Sequence, residues 1–162
     1  MRLFLPALFA VVLLATACSK PPEYPVEPEI EFLRLDHDTI RQGTGLQDSI
    51  WVTLGFTDGD GDIGYENDGP VNLFLTDLRK NVAADNFRIP LIPELGANNG
   101  LQGEIMFKLF QTCCIFPDGI PLPCQPSTEY PFDTVQYEIY MVDRAGNESN
   151  RVTTAPIYIR CN

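Results

Sequence analysis

Apolar residues recur at every second position along this chain, and that period limits what it can fold into. Ile50, Val52, Leu54 and Phe56 fall on one side of an extended backbone, with Trp51 on the other. The alternation returns in Ile30 and Phe32, running toward Leu35, then in Val71, Leu73 and Leu75, and in Ile105, Phe107 and Leu109. It continues in Val135, Tyr137, Ile139 and Met141, and closes with Ile157 and Ile159. Residues 87–92 add a strand whose Pro90 suits a sheet edge, because proline donates no ladder hydrogen bond, and Pro156 marks the last strand in the same way. Only residues 73–82 carry any helical spacing, and they read better as strand then turn. Seven short strands divided by Gly, Pro and Asn predict an all-β fold, a single antiparallel β-sandwich over residues 29–162.

Before that domain the composition changes twice. Met1-Arg2 and the apolar residues 3–15 have the form of a secretory signal and are too short to span a bilayer. Leu14-Ala15-Thr16-Ala17-Cys18 resembles a bacterial lipobox, which implies cleavage after residue 17 and lipidation of Cys18; Ala15 stands where such motifs usually carry leucine. Several acyl chains at about 0.8 kcal/mol per buried CH₂ make such an anchor effectively permanent. Residues 18–28 then hold four prolines, Pro21, Pro22, Pro25 and Pro28, and predict an extended tether. Serine directly after Cys18, in place of aspartate, resembles the outer-membrane sorting pattern of Gram-negative lipoproteins.

Removing 17 residues from 162 leaves 145, enough for one domain with its own core. Losing Arg2 leaves 10 basic against 22 acidic residues, a formal charge of −12 on the mature chain. Nucleic acid is excluded as a partner by the lack of basic patches, and anionic headgroups would repel the domain, so the membrane is reached through the lipid alone.

The most concentrated charge lies in Phe56-Thr57-Asp58-Gly59-Asp60-Gly61-Asp62-Ile63-Gly64, where the clearest strand ends in three alternating carboxylates. On a straight strand these would stand about 7 Å apart, too far to share an ion needing oxygens at roughly 2.3–2.6 Å. Gly59 and Gly61 permit the positive φ angles that would curl the loop. Oxygen donors without sulfur or imidazole nearby point to Ca²⁺. The spacing departs from an EF-hand: Ile63 stands where the sixth-position glycine belongs and Gly69 where the twelfth-position glutamate belongs. The competing reading is a solvated Asp-Gly turn.

With Cys18 lipidated, Cys113, Cys114, Cys124 and Cys161 remain, an even set suited to two disulfides in an oxidising compartment. Zinc is the weaker reading, because no Cys-x-x-Cys pair is present. Residues 113–131 are too proline-rich for a strand or helix and form a pinned loop. Its Ile115, Phe116, Ile120 and Leu122 either cover an open end of the core or present a partner-binding patch, and cover is the favoured reading. His37, the only histidine, sits among Asp36 and Asp38 as a surface residue and not as a general base. No Gly-x-Ser-x-Gly elbow accompanies it.

Tyr140-Met141-Val142-Asp143-Arg144-Ala145-Gly146-Asn147-Glu148-Ser149, followed by Val152-Thr153-Thr154, resembles the last hairpin of bacterial immunoglobulin-like and fibronectin type III-like domains. Together with the lipobox and the acidic loop, it gives the chain a likeness to small lipoproteins of the Bacteroidota type, a likeness that implies no activity. In a sandwich of that kind the loop after the second strand and the turn of the last hairpin share a pole. Asp143 and Asn147 are therefore expected to join Asp58, Asp60 and Asp62 as metal ligands. At the other pole Cys161 is expected near the pinned loop, with one of the Cys113/Cys114 pair bridging to Cys124 and the other to Cys161. The functional expectation is a non-catalytic envelope lipoprotein of structural or protein-interaction role, stabilised by Ca²⁺. A glycan-binding module using Trp51 and a metal-assisted hydrolase are the alternatives.

Overall fold

The computed structural model describes residues 23–93 and 100–162, so the signal segment, Cys18 and the start of the tether lie outside the described residues. These residues form ten strand segments and no helix. The segments are β1 (Glu29–Leu35), β2 (Thr39–Arg41), β3 (Ser49–Asp58), β4 (Leu73–Asp77) and β5 (Val82–Phe87), then β6 (Leu101–Phe110), β7 (Phe132–Val135), β8 (Tyr137–Met141), β9 (Val152–Thr153) and β10 (Ile157–Arg160). One sheet has the order β1-β3-β6; the others are β2-β10-β7 and β5-β4-β8-β9. All pairings are antiparallel except that of β2 with β10. The expected β-sandwich is what forms.

The alternation explains the packing. Ile50, Val52 and Leu54 of β3 are buried, and they face a layer that includes Leu73 and Leu75, Ile139 and Met141, and Ile157 and Ile159 in one continuous core. Burying each of these side chains is worth about 1.5–3 kcal/mol. β3 pairs along its whole length with β6, from Ser49 opposite Phe110 to Asp58 opposite Leu101. That register sends the two ends of β3 to opposite poles of the sandwich.

Seven strands become ten segments because one expected strand splits in two and two short segments, β2 and β9, form where none was expected. Val135 and Tyr137, expected in one strand, are divided by Gln136, and Thr154 takes up Tyr137 through both its backbone and its hydroxyl. Beside that break Pro156, which has no N–H to give, separates β9 from β10. After β1 the Asp36 carboxylate accepts the N–H groups of His37 and Trp51 and turns the chain before β2. The strand expected over residues 87–92 needs correction. The ladder runs through Val82–Phe87 instead, and the chain leaves it before Pro90, where Ile89 donates its N–H to the Asn72 side chain. Val71 likewise lies outside β4 and is exposed.

At the pole reached by Ser49 and Phe110, Cys113 bonds to Cys124 and Cys114 to Cys161. This is the pairing of the adjacent cysteines with Cys124 and Cys161 that the topology implied, with the choice between them now made. The pinned loop covers the core with one apolar side chain and leaves two others in solvent. Phe116 is buried against Tyr130, with ring centroids 5.9 Å apart, while Ile120 and Leu122 are 76% and 64% exposed. The turn between β4 and β5 reaches this loop through Arg79, whose guanidinium lies between Asp77 and Asp133 and donates to the Cys113 carbonyl. On the outer edge of β1 the Asn150 side chain accepts from the Ile30 N–H at 2.7 Å and donates to the Ile30 carbonyl at 2.9 Å.

Candidate metal centre

β3 delivers Asp58 to the pole opposite the disulfides, and there the chain curls. Gly61 has φ 75°, a left-handed conformation that favours glycine, and it folds Asp62 back until its N–H donates to Asp58 Oδ2 at 2.9 Å. Gly59, for which the same freedom was expected, does not use it: no positive φ occurs there. What glycine provides at 59 is room, because a Cβ would overlap the carbonyl oxygens of Tyr24 and Pro25.

The turn between β8 and β9 meets this loop. Arg144 donates its backbone N–H to the Asp62 carbonyl at 3.2 Å, and Ala145 donates to Asp62 Oδ2 at 2.8 Å. Asp143 is held from behind: its Oδ1 accepts the N–H groups of Gly146 and Asn147, and its Oδ2 accepts the Asn147 side-chain amide at 2.8 Å. The Tyr65 hydroxyl donates to the Asp143 carbonyl. The result is one carboxylate oxygen from each of Asp58, Asp60, Asp62 and Asp143, all within 4.8 Å of one another. Ca²⁺ at about 2.3–2.6 Å from each ligand holds opposed oxygens across just that span. Asn147, expected as a further ligand, donates its side-chain amide to Asp143 Oδ2.

Electrostatics make this arrangement costly as it stands. Asp58 and Asp143 are buried, Asp62 is half-buried and Asp60 is exposed. Asp58 Oδ1 and Asp62 Oδ1 are both enclosed and accept no hydrogen bond among the described residues. Burial, joined by the charges of Asp60, Asp62 and Asp143, pushes the Asp58 carboxyl up to about 6 against the pull of the Asp62 N–H. Burial and the charges of Asp143 and Asp60 likewise raise Asp62. An unpaired buried carboxylate costs several kcal/mol, and a divalent cation among the four removes that cost. The donor set is all oxygen, and it fits Ca²⁺.

The remaining candidates stand apart from this cluster. His37 lies at the far end of β3, where its neighbour Asp36 donates to the Trp51 carbonyl, and its exposed ring is 3.0 Å from the Asp36 carboxylate. Trp51 is on the outer face as expected, with Lys108 Nζ 4.8 Å from its ring centroid. Sequence reasoning missed the backbone donors of Ala145 and Gly146, the Tyr65 hydroxyl and the packing of residues 24–25 on Gly59. The Ala145-Gly146 step signalled a turn, but nothing in the sequence said where its amides would point. Compared with models of known protein families, curated protein sequences and solved structures, the chain gives no match.

Proposed function

We propose that this protein is a non-catalytic lipoprotein of the cell envelope, anchored by lipid on Cys18, whose β-sandwich is stapled by Ca²⁺ and does structural or protein-interaction work. The observation that carries the ion is Asp58: wholly buried, with Oδ1 unpartnered and three further carboxylates converging on it. A structural ion suits the geometry better than a hydrolytic one. Two of the four carboxylates are buried, turn amides hold Asp62 and Asp143, and Asp60 alone faces solvent. The interaction role is supported by Ile120 and Leu122, which the pinned loop holds in solvent at the opposite pole. The anchor rests on the residue order around Cys18 and on the proline-rich stretch that follows.

Two measurements test this reading. Calorimetric titration of chelated protein should give one Ca²⁺ site with a Kd of about 10 µM or tighter, within the range of oxygen-liganded sites. Asp60→Asn should weaken it at least about tenfold, by loss of one charged ligand. A flat titration leaves an ordinary acidic turn. Separately, Cys18→Ser should move the protein from the membrane to the soluble fraction, and an unchanged membrane fraction would rule out the anchor.

A further inference from the structure

The chain enters the sandwich beside the metal loop. Glu29, the first residue of β1, pairs with Thr57, one residue before Asp58. Ahead of it, residues 24–28 lie along the same pole without joining any sheet. Their contacts converge on the acidic loop. The carbonyls of Tyr24 and Pro25 rest where a Cβ on Gly59 would be, and the Tyr24 ring packs on Gly100, which also touches the Asp58 carbonyl. The Tyr24 hydroxyl donates to the Gln102 side chain. Pro28 is buried. Among the described residues, the hydrogen bond to Gln102 is the only one this segment makes through a side chain.

Gly59 therefore serves two structures at once. It is flanked by Asp58 and Asp60, both offering ligand oxygens, and it is the floor on which the tether lies. Four carboxylates within 4.8 Å repel one another unless a cation sits among them, and the exposed Asp60 is the one free to swing out. Relief of that repulsion through the backbone of residues 58–62 would move Gly59, the floor under Tyr24 and Pro25. We infer that Ca²⁺, by fixing the loop from Asp58 to Asp62, also fastens residues 24–28 to the domain, so that calcium sets how closely the sandwich is held to its membrane anchor. The inference rests on the Ca²⁺ reading above and adds regulation to that site.

Backbone order parameters of the Tyr24, Val26 and Glu27 amides, measured on the full-length protein in detergent with Ca²⁺ or with chelator, read the tether directly. Ca²⁺ should raise them from below about 0.6 to about 0.8, as expected when a segment passes from loose to docked. Tyr24→Ala separates the two roles, because it removes the ring on Gly100 and the hydrogen bond to Gln102 while touching no ligand carboxylate. In that variant calorimetry should still show Ca²⁺ binding within about threefold of the parent, yet the order parameters should stay below about 0.6 with the ion present. Gln102→Leu, which removes the acceptor of the Tyr24 hydroxyl, should lower the Ca²⁺-loaded order parameters in the same direction, which guards against a defect peculiar to residue 24. Calorimetric binding with order parameters unchanged by Ca²⁺ in the parent protein would overturn the coupling and leave the metal site standing. No calorimetric binding at all removes both.

Discussion

Arg79→Ala is expected to destabilise the fold by about 3–5 kcal/mol, the cost of leaving buried charges without their partner. Arg79 Nε is 3.1 Å from both Asp77 oxygens, and its two terminal nitrogens each reach a carboxylate at 2.6 Å, one of Asp77 and one of Asp133. One of these nitrogens also donates to the Cys113 carbonyl, and Asp133 Oδ2 accepts the Ile115 N–H. The side chains of all three residues are largely enclosed, at 11%, 11% and 17% exposure. Alanine would leave two carboxylates without their counter-ion and loosen the pinned loop from the β4–β5 turn. Lysine should recover little, since a single ammonium cannot form the fork. The urea midpoint should fall with an unchanged slope. A loss below about 1 kcal/mol would mean that solvent screens this network as it does a surface pair.

The same network sets the acid limit. Burial pushes Asp77 up, but hydrogen bonds and charge from Arg79 outweigh it and hold the carboxyl below its ordinary value. A group depressed by folding contributes stability above its unfolded pKa and loses it as pH falls through the folded one. This contribution should therefore persist down to about pH 4 and vanish below it.

Ca²⁺ is expected to produce the second large effect. A ligand that binds only the folded state at a hundredfold excess over its Kd stabilises by about 2.7 kcal/mol, and at a thousandfold by about 4.1. For a domain of this size the smaller figure raises Tm by roughly 10 °C. Asp60→Asn should remove most of the gain while leaving the ion-free protein nearly as stable, because Asp60 is exposed. Asp143→Ala should remove part of the gain and also weaken the ion-free fold, because Gly146 and Asn147 lose their acceptor. Identical melting curves for chelated and Ca²⁺-loaded protein would defeat the prediction.

The response to pH should reverse between the two forms. Asp58 is raised by folding to about 6, so its ionisation opposes the ion-free fold above that pH and the penalty is relieved as pH falls from about 7 toward 4. Chelated protein should then be more stable at pH 5 than at pH 7, by on the order of 1–2 kcal/mol. With Ca²⁺ bound the order inverts, since protons and the ion compete for the same oxygens.

Much of this was legible from residue order because it rests on short-range chemistry. Ile50 to Phe56 read as a strand with one apolar face and the Asp-Gly steps after it as its end, although Thr53 and Gly55 on the other face are buried as well. The convergence of Asp143 on Asp58 was legible only through topology, since 85 positions of chain separate the two and a hairpin resemblance had to supply the pole they share. The edges of β5 were misread because Phe87, Ile89 and Ile92 look like a strand until Asn72, 17 positions before Ile89, takes the Ile89 N–H. Gly59 was read for its freedom when it mattered for its lack of a side chain. Glycine is the same letter for either reason, and only the position of Tyr24 decides between them.

Cys114 and Cys161 enclose 47 positions of sequence in a covalent ring that contains β7, β8, β9 and β10. A single proteolytic cut anywhere on that ring opens it without releasing anything, because both new ends remain joined through the sulfur bridge. The nicked molecule keeps its mass, and its hairpin remains tied to the rest of the fold. Clearing such a protein takes either two cuts or a reductant before it takes a protease.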